Sequence, residues 1–196
     1  MKLFLGIMVA ILVGLLIGII TAFQAISTGW GVDVQQNNGW RIHKNLADPQ
    51  LSVYAKAYLV NSGHLPLPQD QALYFFTYVD SAGQALEANC QYTLEGDDMD
   101  AFWWSVSLHN VDFKQFENSS RRYSFNMSNI IRKSDGRYDI AISAAVKQGN
   151  WLPLNQTAAQ DNARFMMSLR LYGIDKKMIE DIEQLTLPIL VNRGCI

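Results

Sequence analysis

The chain has 196 residues, with 16 Lys and Arg against 18 Asp and Glu and a formal net charge of −2. Binding nucleic acid needs a concentrated positive face, and Arg121-Arg122 and Lys176-Lys177 are too sparse to make one. Two cysteines, with three histidines that lack ligand spacing, do not supply a four-ligand metal centre, so no metal and no cofactor is expected.

The first element is an uncharged, apolar run of 21 residues from Leu3 to Phe23. As a helix it reaches about 30 Å, the hydrocarbon thickness of a bilayer. Residues 1–27 are therefore expected to be a transmembrane anchor. The alternative is a cleavable signal peptide ending near Ala25-Ile26-Ser27, but its apolar core normally runs about 7 to 15 residues. Lys2 is the only nearby side-chain cation on the N-terminal side, while Arg41 and Lys44 lie about 20 residues past the span. The expected topology is single-pass, with a cytoplasmic N-terminus and an exported C-terminal domain, periplasmic in a Gram-negative cell. Gly14 and Gly18 make a GxxxG step at which two such helices can approach closely.

Residues 28–47 are Gly- and Asn-rich without a sustained period and are expected to be a linker, with Trp30 at the membrane interface. Residues 48–196 are expected to form one domain. Asp48-Pro49 reads as an N-cap and first helical position, followed by Leu51, Tyr54, Ala55 and Tyr58 at helical spacing, with Gly63 as the stop. From Ala72 onward the period becomes two. Leu73 to Val79 is apolar on both faces, so it is either a central strand or one covered by the helix, and Asp80 to Gly83 turns it back. Phe102, Trp104, Val106 and Leu108 alternate with Trp103, Ser105, Ser107 and His109. Tyr138, Ile140, Ile142, Ala144 and Val146 repeat the alternation after the Asp135-Gly136 turn. Phe165, Met167, Leu169 and Leu171 do so again against Arg164, Ser168 and Arg170. A second short helix is expected around Lys176 to Leu185. Strands separated by turns rather than helices predict a mainly β fold, an antiparallel jelly-roll-like β-sandwich with one transmembrane helix and one or two short helices.

Cys90 and Cys195 suit the exported compartment. There a distant pair is more naturally a disulfide, and closing a loop of about 100 residues stabilises by at most ~4 to 5 kcal/mol. Two free, buried thiols are the alternative.

From Leu86 to the C-terminus the chain resembles a known family, domain of unknown function 1214. The resemblance rests on an ordered set. It runs through Cys90-Gln91-Tyr92, Phe102-Trp103-Trp104-Ser105, Asn118 with Arg122-Tyr123-Ser124, and Asp135-Gly136. Asn150-Trp151-Leu152-Pro153, Leu169-Arg170-Leu171-Tyr172-Gly173 and Gly194-Cys195 complete it. Leu65-Pro66-Leu67-Pro68 is similar to the short, membrane-anchored branch. The resemblance implies a jelly-roll sandwich and no established activity. One departure stands out: His109-Asn110 occupies the place where the family usually has Tyr-Asp.

The family motifs single out Arg122, Tyr123, Asn150, Trp151 and Arg170 as candidate ligand-binding residues. Rings pack on the C–H faces of a sugar while amides and guanidinium groups bond hydroxyls or carboxylates. Trp104 is assigned to the core instead. The chain carries no G-x-S-x-G, H-E-x-x-H, P-loop or G-x-G-x-x-G motif, and the Asp97-Asp98-x-Asp100 run lacks the closing Glu of an EF-hand loop. The expected function is non-catalytic binding of a polar ligand, a cell-wall component or a protein partner at the membrane. The alternatives are an envelope glycan hydrolase using Glu95, Asp112 or Glu117, and an accessory subunit of a longer family member.

Overall fold

A computed structural model describes residues 2–44, 50–61, 67–68, 70–161, 163–175 and 179–195. The apolar run is a helix, α1 (Lys2–Thr28), with no residue buried by the protein, long and apolar enough to cross a membrane. Its end is capped by the amides of Gly29 and Trp30, which donate to Ile26 and Ala25 carbonyls.

Residues 28–47, read from the sequence as a linker, carry a hairpin built onto the domain. Strands β1 (Asp33–Asn37) and β2 (Trp40–Lys44) pair antiparallel around Asn38-Gly39. Both turn residues have positive φ, 50° and 82°, as a type I′ hairpin turn requires. Trp40 and Ile42 are buried in the core, and Trp40 Nε1 donates to the Pro188 carbonyl at 2.7 Å. Helix α2 (Val53–Asn61) follows, with Ser52 as its N-cap: Ser52 Oγ accepts the Ala55 amide at 3.1 Å. Asp48, Pro49, Gly63, Leu65 and Pro66 lie outside the described residues.

The remaining strands are β3 (Ala72–Thr77), β4 (Cys90–Gly96), β5 (Trp103–Asn110), β6 (Ser124–Asn126), β7 (Tyr138–Ser143) and β8 (Trp151–Pro153). A short helix α3 (Gln156–Gln160), then β9 (Phe165–Tyr172), a 3₁₀ turn (Ile182–Gln184) and β10 (Ile189–Cys195) complete the chain. They form a six-stranded sheet, β1-β2-β3-β9-β5-β6, facing a four-stranded sheet, β10-β4-β7-β8. Every pairing is antiparallel except that of β7 with β8, a departure from the antiparallel expectation. Parallel neighbours normally need a long crossover. Here Trp151 lies beside Ala141, so the chain retraces only two residues from Ser143, and a loop suffices.

The alternations seat the core as expected. Trp104, Val106 and Leu108 of β5 and Phe165, Met167, Leu169 and Leu171 of β9 face Tyr92, Leu94, Tyr138, Ile140 and Ile142 of the opposite sheet. Trp104 stacks on Tyr138 with centroids 5.0 Å apart, and Tyr92 meets Phe165 edge-on at 5.5 Å, so two aromatic pairs join the sheets. Each such burial stabilises by roughly 1.5 to 3 kcal/mol before entropy is charged against it. Two patterns end earlier than the alternation suggests. Phe102 precedes β5 and is exposed, and Val146 lies beyond β7, whose path breaks where Ser143 Oγ donates to the Ala145 carbonyl. The helix expected near Lys176 to Leu185 contains the 3₁₀ turn, and residues 176–178 lie outside the described ones.

Cys90 and Cys195, opposite each other in the β4–β10 ladder, form a disulfide, so the two-free-thiol alternative does not hold in this structure.

Candidate functional site

β6 and β8 are the outermost strands on one side of the two sheets, and the loops around them build a cleft. Asn118 organises the first of these loops. Its Nδ2 donates to the Phe116 and Arg122 carbonyls (3.2 and 3.1 Å), and its Oδ1 accepts the Arg122 amide at 3.1 Å. Arg122 is thereby placed 5.7 Å from the Phe125 ring centroid, and its Nη1 donates to the Trp151 carbonyl at 3.3 Å across to β8. Tyr123 continues the ladder, its carbonyl accepting the Leu108 amide at 3.1 Å.

Asn150 sets the second loop. Its buried amide donates to the Ile131 carbonyl (2.7 Å) and the Asp139 carbonyl (3.0 Å), while Oδ1 accepts the Ile131 amide at 2.8 Å. Each of its good donors and an acceptor is thus engaged by backbone, and Asn150 is a positioning residue rather than a ligand contact. Trp151 follows with its indole N–H on the Ser143 carbonyl at 3.0 Å, so only the ring is left to meet a ligand. Asn155 caps α3 through Oδ1 and donates from Nδ2 to the Glu117 carbonyl at 2.8 Å, fixing Glu117 over the same space.

The resulting cleft has a volume of about 310 Å³. Trp151, Pro153 and Val146 supply apolar wall, and Glu117, Ser119 and Gln156 supply polar groups. Of the five residues named from the sequence, Trp151 lines this cleft and Arg122 is bonded to the Trp151 carbonyl, whereas Asn150 lines a different hollow with Ile131 and Asp139, and Tyr123 is placed by its backbone beside β5. Arg170 lies elsewhere. It lies on the outer face of the six-stranded sheet, 5.9 Å from the Tyr74 ring centroid, in register with Tyr74 and Ser105. Its Nε is buried without a hydrogen-bond partner among the described residues. On the same face His109 Nε2 meets Ser168 Oγ at 3.1 Å. Burial, then the Arg170 guanidinium, hold the His109 imidazole below its ordinary 6.5, with the Phe113 backbone opposing. Asn110, beside it, accepts the Asp112 and Lys114 amides with Oδ1 (3.0 and 2.8 Å). An aspartate would accept the same two N–H groups, so the His109-Asn110 departure leaves the turn intact.

The carboxylates considered for hydrolysis are not brought together. Glu117 lines the cleft, Glu95 on β4 pairs with Arg193 of β10, and Asp112 sits in the loop after β5. A second cavity of about 320 Å³, floored by Met99, Leu171 and Leu187, has Asp98, Asp100 and Asp181 around it. Asp98 is engaged there, accepting from Trp104 Nε1 and Arg132 Nη2, both at 3.1 Å, and Asp181 accepts from the Gln184 amide. Among the described residues no group of three or more His, Cys, Asp or Glu is placed to hold a metal. The sequence reading missed Asn155 and Gln156 as builders of the cleft. The signal was present, because an Asn two residues after a Pro and just before Gln-Thr-Ala-Ala reads as a helix N-cap.

No curated protein matches the chain. Among solved structures, the VPA0106 protein from Vibrio parahaemolyticus is similar over 74% of this chain and 36% of its own, at 24% identity with a TM-score of 0.59. That likeness shows the fold. A protein from Burkholderia cenocepacia is similar over 62% of this chain and 29% of its own, at 16% identity with a TM-score of 0.38. The chain thus spans about a third of the length of these solved proteins. Residues 71–176, more than half of the chain, match the family described as Protein of unknown function (DUF1214), and the chain belongs to that family.

Proposed function

We propose that this protein is a non-catalytic binding module, held at the membrane by α1, that takes a hydroxyl-rich polar ligand of the cell-wall glycan class in the Trp151 cleft. The observation that carries the reading is the composition of that cleft. An aromatic and proline wall faces a carboxylate, an amide and a hydroxyl across about 310 Å³, room for one or two sugar rings. Arg122 supports the wall through the Trp151 carbonyl and can turn its remaining donors to a ligand carboxylate. A single carboxylate lines this cleft among the described residues, which favours binding over the two-carboxylate chemistry of glycoside hydrolysis.

The test is titration of the full chain in mild detergent with soluble peptidoglycan fragments, followed by tryptophan fluorescence and calorimetry. Glu117→Ala is expected to weaken binding by about 10- to 100-fold, the worth of charge-assisted hydrogen bonds, with the melting temperature unchanged. Absence of binding, or equal binding by Glu117→Ala, would overturn the assignment. Hydrolysis of the fragments that is lost with Glu117→Gln would favour the hydrolase instead.

In a second reading the chain is an accessory subunit of a longer family member, with the Gly14 and Gly18 step of α1 as the place where the two helices meet in the membrane. Co-purification of that longer member with the tagged, membrane-embedded protein is its expected outcome.

A further inference from the structure

A further cavity, distinct from those described above and of about 320 Å³, lies at the junction of α1 with the domain. Thr28 at the end of α1, Arg41 and His43 of β2, Tyr58 of α2, and Phe76 and Tyr78 at the end of β3 line it. The cavity is aromatic, and Arg41 is its cation. The Arg41 side chain makes no hydrogen bond or ion pair among the described residues, although the guanidinium lies near enough to His43 and Tyr78 to bias their titration. Among the described residues no carboxylate lines the space. Asp33, next to the lining residue Val34 on β1, points to the opposite face by the two-residue alternation of the strand. The carbonyls at the end of α1 are occupied by the Gly29 and Trp30 amides, which blunts the negative pole of the helix there.

The position of this cavity matters as much as its lining. Thr28 is five residues past Phe23, the end of the apolar run, or about 7 Å along the helix. That is the depth of the headgroup layer on one side of a bilayer, roughly 5 to 7 Å. The surroundings fit the same layer. Trp30 is 67% exposed with its ring 6.1 Å from Tyr54, and α2 packs beside α1. Val53 and Val60 of α2, seven residues apart on one helical face, are 74% and 70% exposed. Interfacial aromatics and an apolar helix face belong at the boundary between headgroups and acyl chains.

Resting on the reading that α1 spans a membrane, we propose that the Arg41 cavity is a binding site for the phosphate headgroup of an anionic phospholipid. The guanidinium is the charged donor, the Tyr78 hydroxyl a second donor, and the rings of Tyr58 and Phe76 the walls against the glycerol backbone. The acyl chains would leave along α1 and the valine face of α2.

The test uses the full chain reconstituted in vesicles of equal phosphatidylglycerol and phosphatidylcholine, released gently and weighed with its retained lipid by native mass spectrometry. Retention of one phosphatidylglycerol per chain, preferred over phosphatidylcholine by about fivefold, is expected, the contribution of one interfacial arginine. Arg41→Gln should abolish the preference, and Tyr78→Phe should reduce it. Retention without headgroup preference, or a preference unchanged in Arg41→Gln, would overturn the site. Binding of soluble glycerol phosphate in place of retained lipid would also overturn it, in favour of a free phosphate compound. Extraction of the chain from membranes by alkaline carbonate would fail the spanning reading itself, and is scored before any lipid is counted.

Discussion

Asn150 uses its amide to join three backbone groups, the Ile131 N–H and C=O and the Asp139 C=O, that lie in different segments of the chain. Truncating it leaves those part-buried groups unpaired, so Asn150→Ala is expected to cost about 1 to 3 kcal/mol in chemical denaturation of the full chain. A loss below 1 kcal/mol would mean that water replaces the amide and that Asn150 is free to serve a ligand. The histidines give a second residue-scale expectation. Burial holds both His43 and His109 below 6.5, aided by Arg41 and Arg170 respectively. Between 6.5 and the folded values the unfolded chain binds more protons, so stability is complete above pH 6.5 and falls as pH drops below it. Melting scans from pH 7.5 to 5 should show that decline in the parent protein and a shallower one in the His43→Gln, His109→Gln pair. An identical slope in the pair would place the titration elsewhere.

Elements depend on small backbone requirements that the sequence carries unevenly. Gly173 ends β9 with φ +63°, and a Cβ there would stand 2.7 Å from Phe102 Cβ, an atom that cannot swing aside. Gly173→Ala should therefore cost about 2 to 4 kcal/mol, from the left-handed backbone and the clash together. In a Phe102→Gly background the clash vanishes and the backbone share alone, about 1 to 2 kcal/mol, should remain. Equal costs in the two backgrounds would remove Phe102 from the explanation. The same unevenness explains which elements could be read. β5 and β9 alternate over most of their length, Trp103 and Met166 excepted, because one face of each meets the opposite sheet, so the core was legible. β1 is Asp-Val-Gln-Gln-Asn, an edge strand with few apolar side chains to mark a period. Its signal was the Asn38-Gly39 turn alone. β10 was hidden for another reason, since its pairing with β4 is set by a partner about 100 residues away, and the cysteines were the only trace of it. For the cleft, the residue types were legible, and the alternation of β9 already set Arg170 opposite its core face, but the strand order was not legible. That order puts β9 inside the six-stranded sheet, so Arg170 lies away from Trp151, while Glu117 was brought in by a loop contact from Asn155.

For the molecule as a whole, the disulfide ties the last strand back to the start of β4. Cys90 and Cys195 are 105 residues apart, and the segment between them contains every strand from β5 to β9. In the chain-entropy treatment a closed loop of that size is worth up to about 4.7 kcal/mol through its effect on the unfolded chain. Reduction of the bridge should then lower the melting temperature by at most about 9 to 19 °C for a domain of this size. β10 would still be held locally, because Trp40 donates to the Pro188 carbonyl and the Ser81 amide donates to Leu190. A bridge that merely fastened the last residues would be replaced by this local pairing, and the Cys90→Ser, Cys195→Ser pair would melt within 2 °C or so of the parent. The redox state of the pair in cells tests the proposed export of the domain, because the cytosol keeps such thiols reduced while exported compartments oxidise them. Trapping thiols in intact cells with a membrane-permeant maleimide of high mass should leave the full-length chain unshifted, with a shift of two labels only after reduction. Labelling without reduction would put the sandwich on the cytosolic side of α1, and the glycan reading would fall with it.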